Sequence, residues 1–180
     1  MKARTTGFTL AELMVTVAVA GTLLALGIPA FANLSGHAAA DAQLGALTVA
    51  LSKARIAALT RRQAVTVCPS NDGSTCRTDL VWDRGWIVYE DGAKQPQPTP
   101  DSVLWWEQSA GRVAIRSTSG RHRVRYQPDG MAGGVNLTLT LCSPRSGRTL
   151  GYVKVNLGGR IRSEQAADAV PCPYPISQKG

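Results

Sequence analysis

Basic side chains concentrate in one segment of the chain, and their type suits the binding of phosphate groups. Residues 110–162 contain 10 Lys and Arg against one acid, Asp129, so this segment has a net charge of +9. Residues 1–109 contain 9 basic and 9 acidic side chains and are neutral as a whole. Nine of the ten cations are arginines, whose planar guanidinium groups form paired hydrogen bonds with phosphate oxygens. The segment predicts a surface that attracts nucleic acid or an anionic membrane, with a solvated surface that binds nothing as the alternative.

Two arginines of this segment stand two residues apart behind a pair of glycines, in Gly158-Gly159-Arg160-Ile161-Arg162. Side chains at positions i and i+2 of an extended chain point the same way, so both arginines can reach one phosphate backbone. The other candidates for contacts are the remaining basic side chains that fall in predicted loops or strands, namely Arg121, Arg123, Arg145, Arg148 and Lys154. No helix is predicted after residue 62, so contacts are expected with phosphates and not with bases.

One carboxylate, Glu12, stands at the edge of an apolar run. Residues 13–31 contain no charged side chain, which is the length of a membrane span. A carboxylate deep in lipid costs about 2.5–3.5 kcal/mol, so Glu12 should have a functional partner, most simply an amine at the same depth. The alternative is a secretory signal peptide that ends at Ala30-Phe31-Ala32, although Glu12 interrupts the start of its apolar region.

Four cysteines, Cys68, Cys76, Cys142 and Cys172, form a second group with chemistry of its own. An even number of cysteines in a head outside the cytoplasm predicts disulfides, and three pairings are possible. The short polar loop between Cys68 and Cys76 favours that pair, which leaves Cys142 with Cys172. A zinc site is the alternative to disulfides, but the sequence has no Cys-x-x-Cys spacing and only 2 histidines to serve as ligands.

No motif of an enzyme is present. The sequence lacks the glycine-rich signatures of nucleotide-binding and dinucleotide-binding loops. Ser119, His122 and Asp129 supply the residue types of a catalytic triad, but residue types without geometry predict nothing. We therefore expect no catalysis, no cofactor and no metal. The tryptophans at positions 82, 86, 105 and 106 are expected in the core.

A long helix and a set of short strands should position these residues. The helix is predicted up to residue 62, with an apolar stripe formed by Leu44, Leu47, Leu51, Ala54 and Ala58 and a kink at Pro29. Short β-rich runs follow, with turns between them, at residues 64–68, 80–82, 86–89, 103–106, 113–115, 124–126, 135–141 and 150–155. The expected fold class is α+β, with one long N-terminal helix packed on a strand-rich head.

The N-terminus resembles the processing site of type IV pilins and of their relatives in secretion systems. The resemblance rests on Gly7-Phe8-Thr9-Leu10-x-Glu12 followed by the apolar run, and Pro29 matches the family's helix-kinking proline. It implies cleavage after Gly7 by the prepilin peptidase and N-methylation of Phe8. It also implies that Glu12 neutralises the terminal amine of a neighbouring subunit during assembly.

The head resembles the FimT/GspH minor pilins in three places. These are Trp82-x-x-Gly85-Trp86-x-Val88 with Asp91-Gly92, then Tyr126-x-Pro128-x-Gly130, and finally Gly158-Gly159-Arg160-Ile161-Arg162. FimT-like members of the family bind DNA through a C-terminal Gly-Arg-x-Arg, which residues 159–162 match. The resemblance covers residues 1–163, and the tail at 164–180 matches nothing in the family.

The resemblance implies a chain organised as a leader (1–7), a transmembrane and assembly helix (8–35), a periplasmic head (36–163) and a tail tied by a disulfide (164–180). The implied protein is a minor type IV pilin, anchored in the inner membrane by a single span before it joins other pilin subunits. It binds DNA without sequence specificity and supports DNA uptake. The alternative is a purely structural minor pseudopilin of a type IV pilus or a type II secretion system.

Overall fold

One helix and eight strands make up the described part of the chain, in agreement with the expected α+β class. The structure is a computed structural model that describes residues 9–109, 111–134, 136–167 and 170–174, without the side chains of 27–35. The predicted leader and its cleavage site at Gly7 and Phe8 lie outside the described residues. The chain divides into two compact units, residues 1–35 and 36–180.

Helix α1 extends over Leu10–Arg61 and begins with a capping box. The Glu12 amide donates to Thr9 Oγ1 at 3.3 Å, and the Thr9 amide donates to Glu12 Oε2 at 3.5 Å. These two reciprocal bonds satisfy amides that the first turn of a helix leaves without partners. Glu12 therefore also has a local role at the helix start. Among the described residues, no helical stretch combines the length and the apolar character needed to cross a membrane.

The second half of α1 packs on the head through the predicted apolar stripe. Leu44 is 6% exposed, and the other four stripe residues are completely buried. The helix ends at Arg61, which forms an ion pair with Glu90, and the next residue, Arg62, has a φ of 52°. A left-handed residue at this position stops the helix and turns the chain into the first strand.

Two four-stranded antiparallel sheets form the rest of the head. The strands are β1 (Val65–Pro69), β2 (Gly85–Glu90), β3 (Val103–Gln108), β4 (Ala114–Ser117), β5 (Val124–Tyr126), β6 (Leu137–Cys142), β7 (Thr149–Val155) and β8 (Ile161–Gln165), with a 3-10 turn at Pro100–Ser102. The strand order is β3-β2-β1-β5 in the first sheet and β4-β6-β7-β8 in the second. Strand β8 is therefore an edge strand.

One apolar cluster joins α1 to both sheets, with side chains such as Val67 and Val88 from the first sheet and Leu139 and Val153 from the second. The buried apolar residues of the described chain all fall between residues 40 and 155. The unit 36–180 thus contains a complete core, and we expect it to fold alone.

Three details differ from the sequence prediction. Residues 80–82 form a single bridge, Val81 to Arg116, instead of a strand, because a turn starts directly after Trp82. Strand β8 was not among the predicted strands, since only one of its five residues is apolar. Trp82 and Trp86 are fully buried as expected, but Trp106 is 39% exposed on the edge strand β3, where its ring covers Gly73.

Both disulfides join the cysteines that the sequence favoured. The S–S distance is 2.02 Å for Cys68–Cys76 and 2.05 Å for Cys142–Cys172. The second bond fastens the C-terminal tail to the end of β6. The backbone supports the same attachment, because the Cys172 amide donates to Gly147 O at 2.8 Å.

We expect Cys142→Ser with Cys172→Ser to lower the free energy of unfolding of the 36–180 unit by about 3–4 kcal/mol, because the bond closes a loop with a sequence separation of 30. Cys68→Ser with Cys76→Ser should cost about 2–3 kcal/mol, since its loop is shorter. Denaturant unfolding of both double variants checks the order. A larger loss from the shorter loop would contradict the chain-entropy explanation.

Candidate nucleic-acid interface

Residues 156–160 form the turn between β7 and β8, and Asn156 closes it. The Gly159 amide donates to Asn156 O at 2.9 Å, and the Asn156 amide donates to Arg160 O at 3.1 Å. The side chain completes the closure, because Asn156 Oδ1 accepts from the Arg160 amide at 2.9 Å. The backbone that carries Arg160 therefore has a defined conformation.

The turn also packs directly on the loop that follows β5. A Cβ atom at position 159 would lie 2.1 Å from Gly130 O, and Gly159 has a φ of +71°. Both facts require glycine at this position. A hydrogen bond from the Ala132 amide to Leu157 O at 3.0 Å joins the two loops a second time.

Arg55 of helix α1 reaches the same place, and the sequence analysis missed it. Its Nε donates to Gly130 O at 3.0 Å and its Nη2 donates to Gly158 O at 3.0 Å. The guanidinium thus bridges the two glycine-containing loops. No signal in the sequence could have revealed this contact, because Arg55 lies 103 positions before Gly158 in an electrically neutral part of the chain.

Arg160 is the last residue of the turn and Arg162 is the second residue of β8, and their spacing of two predicts side chains on the same side of an extended chain. Ile161 lies between them and packs against the core. Both arginines are exposed, and neither forms an ion pair with any residue that the structure describes. Arg162 pairs in register with Lys154 of β7, and Arg160 stands two positions before Arg162 in the chain.

Lys154 is only partly available for a ligand. Its ammonium forms an ion pair with Glu164 and lies 5.2 Å from the centroid of the Tyr152 ring. Both side chains of the ion pair are about half exposed, so water screens the pair and its strength is small. The free-energy cost of replacing Glu164 by a phosphate as the partner of Lys154 is therefore small.

Arg121 lies at the same end of the second sheet. It closes a turn in which its amide donates to Thr118 O at 2.9 Å, and the Thr118 amide donates to Thr138 O at 2.9 Å. Thr138 pairs with Lys154, and Lys154 pairs with Arg162. Three strand spacings of about 4.8 Å therefore separate Thr118 from Arg162, which is about 14 Å.

Arg145 and Arg148 lie at the opposite end of this sheet, in the loop between β6 and β7. The length of β7, about 20 Å at 3.3–3.4 Å per residue, separates them from Arg160 and Arg162. Arg148 lines a polar cleft of about 370 Å³ together with His37 and Asp41. The structure therefore does not bring this pair into one cluster with Arg160.

Several cations of the basic segment are held within the head. Arg116 and Arg125 form ion pairs with Asp83 and Asp91. Arg123 donates from Nη1 to Pro96 O at 3.0 Å and from Nε to His122 Nε2 at 3.0 Å. The remaining exposed cations, none with an ion pair to a described residue, are Arg112, Arg121, Arg145, Arg148, Arg160 and Arg162. The net charge of +9 is thus spread over several positions and does not form one continuous surface.

His122 is kept neutral by its surroundings. Burial lowers its pKa below the ordinary value of 6.5, and the positive charge of Arg123 lowers it further. The hydrogen bond from Arg123 requires an unprotonated Nε2 as its acceptor. Neutral His122 therefore stabilises the position of Arg123.

We expect an NMR titration of His122 in the 36–180 unit to give a pKa below 6.5, and Arg123→Gln to raise it in part. The unfolded chain binds a proton at His122 more readily than the folded protein does. The contribution of neutral His122 to folding stability is therefore complete above about pH 6.5 and is lost as the pH falls below that value. His122→Gln should remove this share of the acid dependence. A titration midpoint at or above 6.5 would show that the proposed surroundings are wrong.

Comparison with known proteins gives one family match and a set of similar folds. Residues 43–159 match the family model described as "Type II transport protein GspH", which is more than half of the chain. The match ends directly before Arg160, so both arginines of the Gly-Arg-x-Arg lie outside it. No curated protein matches the sequence significantly.

Comparison of structures finds similar solved structures at low sequence identity. The type IV minor pilin FimU of Pseudomonas aeruginosa, in space group P65, has a TM-score of 0.56 at 16% identity, over 73% of this chain and 98% of the FimU chain. Its P21 crystal form gives a TM-score of 0.56 at 17% identity, over 73% and 93%. The minor pseudopilin EpsH from the type 2 secretion system of Vibrio cholerae has a TM-score of 0.48 at 11% identity, over 69% and 95%.

Proposed function

The chain belongs to the GspH family of type II transport proteins, as a minor pilin or pseudopilin of a type IV pilus or a type II secretion system, and we propose that it also binds DNA. The proposed contact surface, called the basic edge below, consists of Arg160, Arg162 and Lys154. Arg121 lies at the same end of the sheet and adds to the positive potential there. In a pilus, such a subunit supports the uptake of DNA.

The observation that supports the proposal is a pair of exposed guanidinium groups, two positions apart on a backbone that hydrogen bonds hold in place. Neither Arg160 nor Arg162 has an acidic partner among the described residues, so a phosphate can bind these two arginines without breaking an ion pair. The turn before them is closed by Asn156 and fixed against Gly130, so the backbone needs little ordering on binding and only the side chains lose freedom. Both features favour contact with a repeating phosphate backbone.

The basic edge is suited to phosphates and not to bases. In the described part of the head, the elements after α1 are strands and one short 3-10 turn, so no recognition helix accompanies the basic edge. Phosphate contacts carry no sequence information. We therefore propose binding that is independent of DNA sequence and sensitive to salt.

We expect Arg160→Gln with Arg162→Gln to weaken binding of random duplex DNA to the 36–180 unit. Each lost phosphate contact should reduce the slope of log affinity against log salt concentration by about 0.9, which gives a reduction of about 2 at most. Binding is measured by gel shift or fluorescence anisotropy at several salt concentrations. The loss should be equal for unrelated DNA sequences.

A matched control removes two charges elsewhere. Arg84 and Arg112 are exposed and lie near the start of β4, at the other edge of the sheet from β8. Arg84→Gln with Arg112→Gln should leave the salt slope nearly unchanged. Equal losses from both double variants would mean that total charge, and not the basic edge, governs binding.

A third variant tests whether removing an acidic side chain from the basic edge strengthens DNA binding. Glu164→Gln should free Lys154 and strengthen DNA binding, with a salt slope that is larger by up to about 0.9. Glu107→Gln, which removes an exposed acid from edge strand β3, is its control. If wild-type protein does not bind DNA even at low salt, the chain is a purely structural subunit.

We also propose that residues 1–7 are a leader removed by the prepilin peptidase and that Phe8 then becomes a methylated N-terminus. The motif around Gly7 and Glu12 supports this, together with membership of the GspH family. Residues 8–35 would hold the chain in the inner membrane before assembly with other pilin subunits. Glu12 would then pair with the terminal amine of a neighbouring subunit, in addition to capping its own helix.

Mass spectrometry of the mature full-length chain tests the proposed processing. The expected N-terminus is methylated Phe8, and Gly7→Ser should leave the leader attached because the peptidase requires a minimal residue before the cut. Glu107→Gln, an exposed position far from the cleavage site in the sequence, is a control that should be processed normally. An N-terminus at Asn33 would instead show that a signal peptidase had cut after Ala32.

A further inference from the structure

We infer that Arg55 of helix α1 is a positioning residue for the basic edge. It lies outside the basic segment and belongs to a different element, yet its guanidinium contacts the turn that carries Arg160. The inference depends on the proposed DNA binding for its functional meaning. Its structural part, the control of the turn by Arg55, can be tested without DNA.

The two bonds of Arg55 end on two separate loops. Nε donates to Gly130 O and Nη2 to Gly158 O, each at 3.0 Å. Hydrogen bonds from a charged donor are stronger than those between neutral groups, and the planar fork of arginine fixes the angle between its donors. Lysine presents a single nitrogen on a flexible stem, so it cannot reproduce both bonds in the same geometry.

Close packing makes the turn depend on this bridge. The backbone at Gly159 touches Gly130 O with no room for a Cβ, and Leu59 of the same helix lies against Gly130. Helix α1 is itself fixed by the completely buried Leu51 and Ala54. The chain of contacts therefore leads from the buried face of α1, through Arg55, to the two glycines that precede Arg160.

Direct contact between Arg55 and DNA is the competing explanation. Two donors of the guanidinium already point at protein carbonyls, but the remaining N–H groups are not excluded from a phosphate by these bonds. The two explanations predict different results when the charge is kept and the fork is removed. Arg55→Lys makes that change, and Arg55→Met removes both charge and fork.

The experiment compares these two variants of the 36–180 unit with wild type, below the melting temperature of each. Positioning predicts that both variants weaken DNA binding by at least about twofold, the lower end of coupling within one contact network, with the salt slope unchanged. Direct contact predicts that Arg55→Lys binds DNA like wild type. In Arg55→Met, it predicts that the slope of log affinity against log salt concentration falls by about 0.9. The second pattern would overturn the inference.

Lys53→Met is the matched control. Lys53 is exposed on the same helix two residues earlier, so its loss removes the same charge without touching the turn. Its affinity should equal that of wild type. A loss as large as that of Arg55→Met would also contradict positioning.

Amide hydrogen exchange separates this inference from the proposed function. In Arg55→Lys, the amides of Gly159 and Arg160 should exchange at least threefold faster than in wild type, while the amides of β1 stay protected. Unchanged exchange at the turn would overturn positioning, whether or not the protein binds DNA. Faster exchange in a protein that does not bind DNA would keep the structural part and refute the proposed function alone.

Discussion

The two sheets of the head meet on one apolar stripe of helix α1, and the remaining architecture depends on that packing. Leu47, Leu51, Ala54 and Ala58 are completely buried between side chains of both sheets. Each buried leucine contributes about 1.5–3 kcal/mol, whereas an exposed ion pair such as Arg61–Glu90 contributes at most about 1 kcal/mol. Packing on the helix therefore determines the positions of both sheets, and the exposed ion pairs contribute little to this arrangement.

The arrangement of the two sheets explains why the basic segment 110–162 does not form one basic surface. Strands alternate their faces, so the cations of the segment emerge on different sides of two sheets. Acids from the earlier, electrically neutral part of the chain then pair with some of them. Arg125, for example, donates from Nε to the buried Asp91 at 2.7 Å, while Arg162 on the edge strand β8 forms no ion pair with a described residue. Position in the sheet decides which arginine remains free for a ligand.

Local patterns predicted those features that depend on neighbours in sequence. The apolar stripe that begins at Leu44 has helical spacing, and the short loop between Cys68 and Cys76 favours a disulfide between these two residues. Strand β8 was missed because an exposed edge strand does not need alternating apolar residues. The contacts of Arg55 were missed for a different reason, since they join parts of the chain that only the fold brings together. Trp106 was expected in the core, but its strand lies at the edge of a sheet and leaves the ring partly exposed.

The bond between Cys142 and Cys172 has a topological consequence, because strands β7 and β8 both lie between these cysteines. The hairpin that carries Arg160 is a covalent ring closed by sulfur. A protease that cuts the peptide bond after Arg160 opens the ring at one point but releases no fragment. Both strands stay attached to the head by their other ends and by their hydrogen bonds to each other. A cleaved subunit in an oxidising compartment thus keeps all its basic side chains, and only reduction followed by unfolding would separate the pieces.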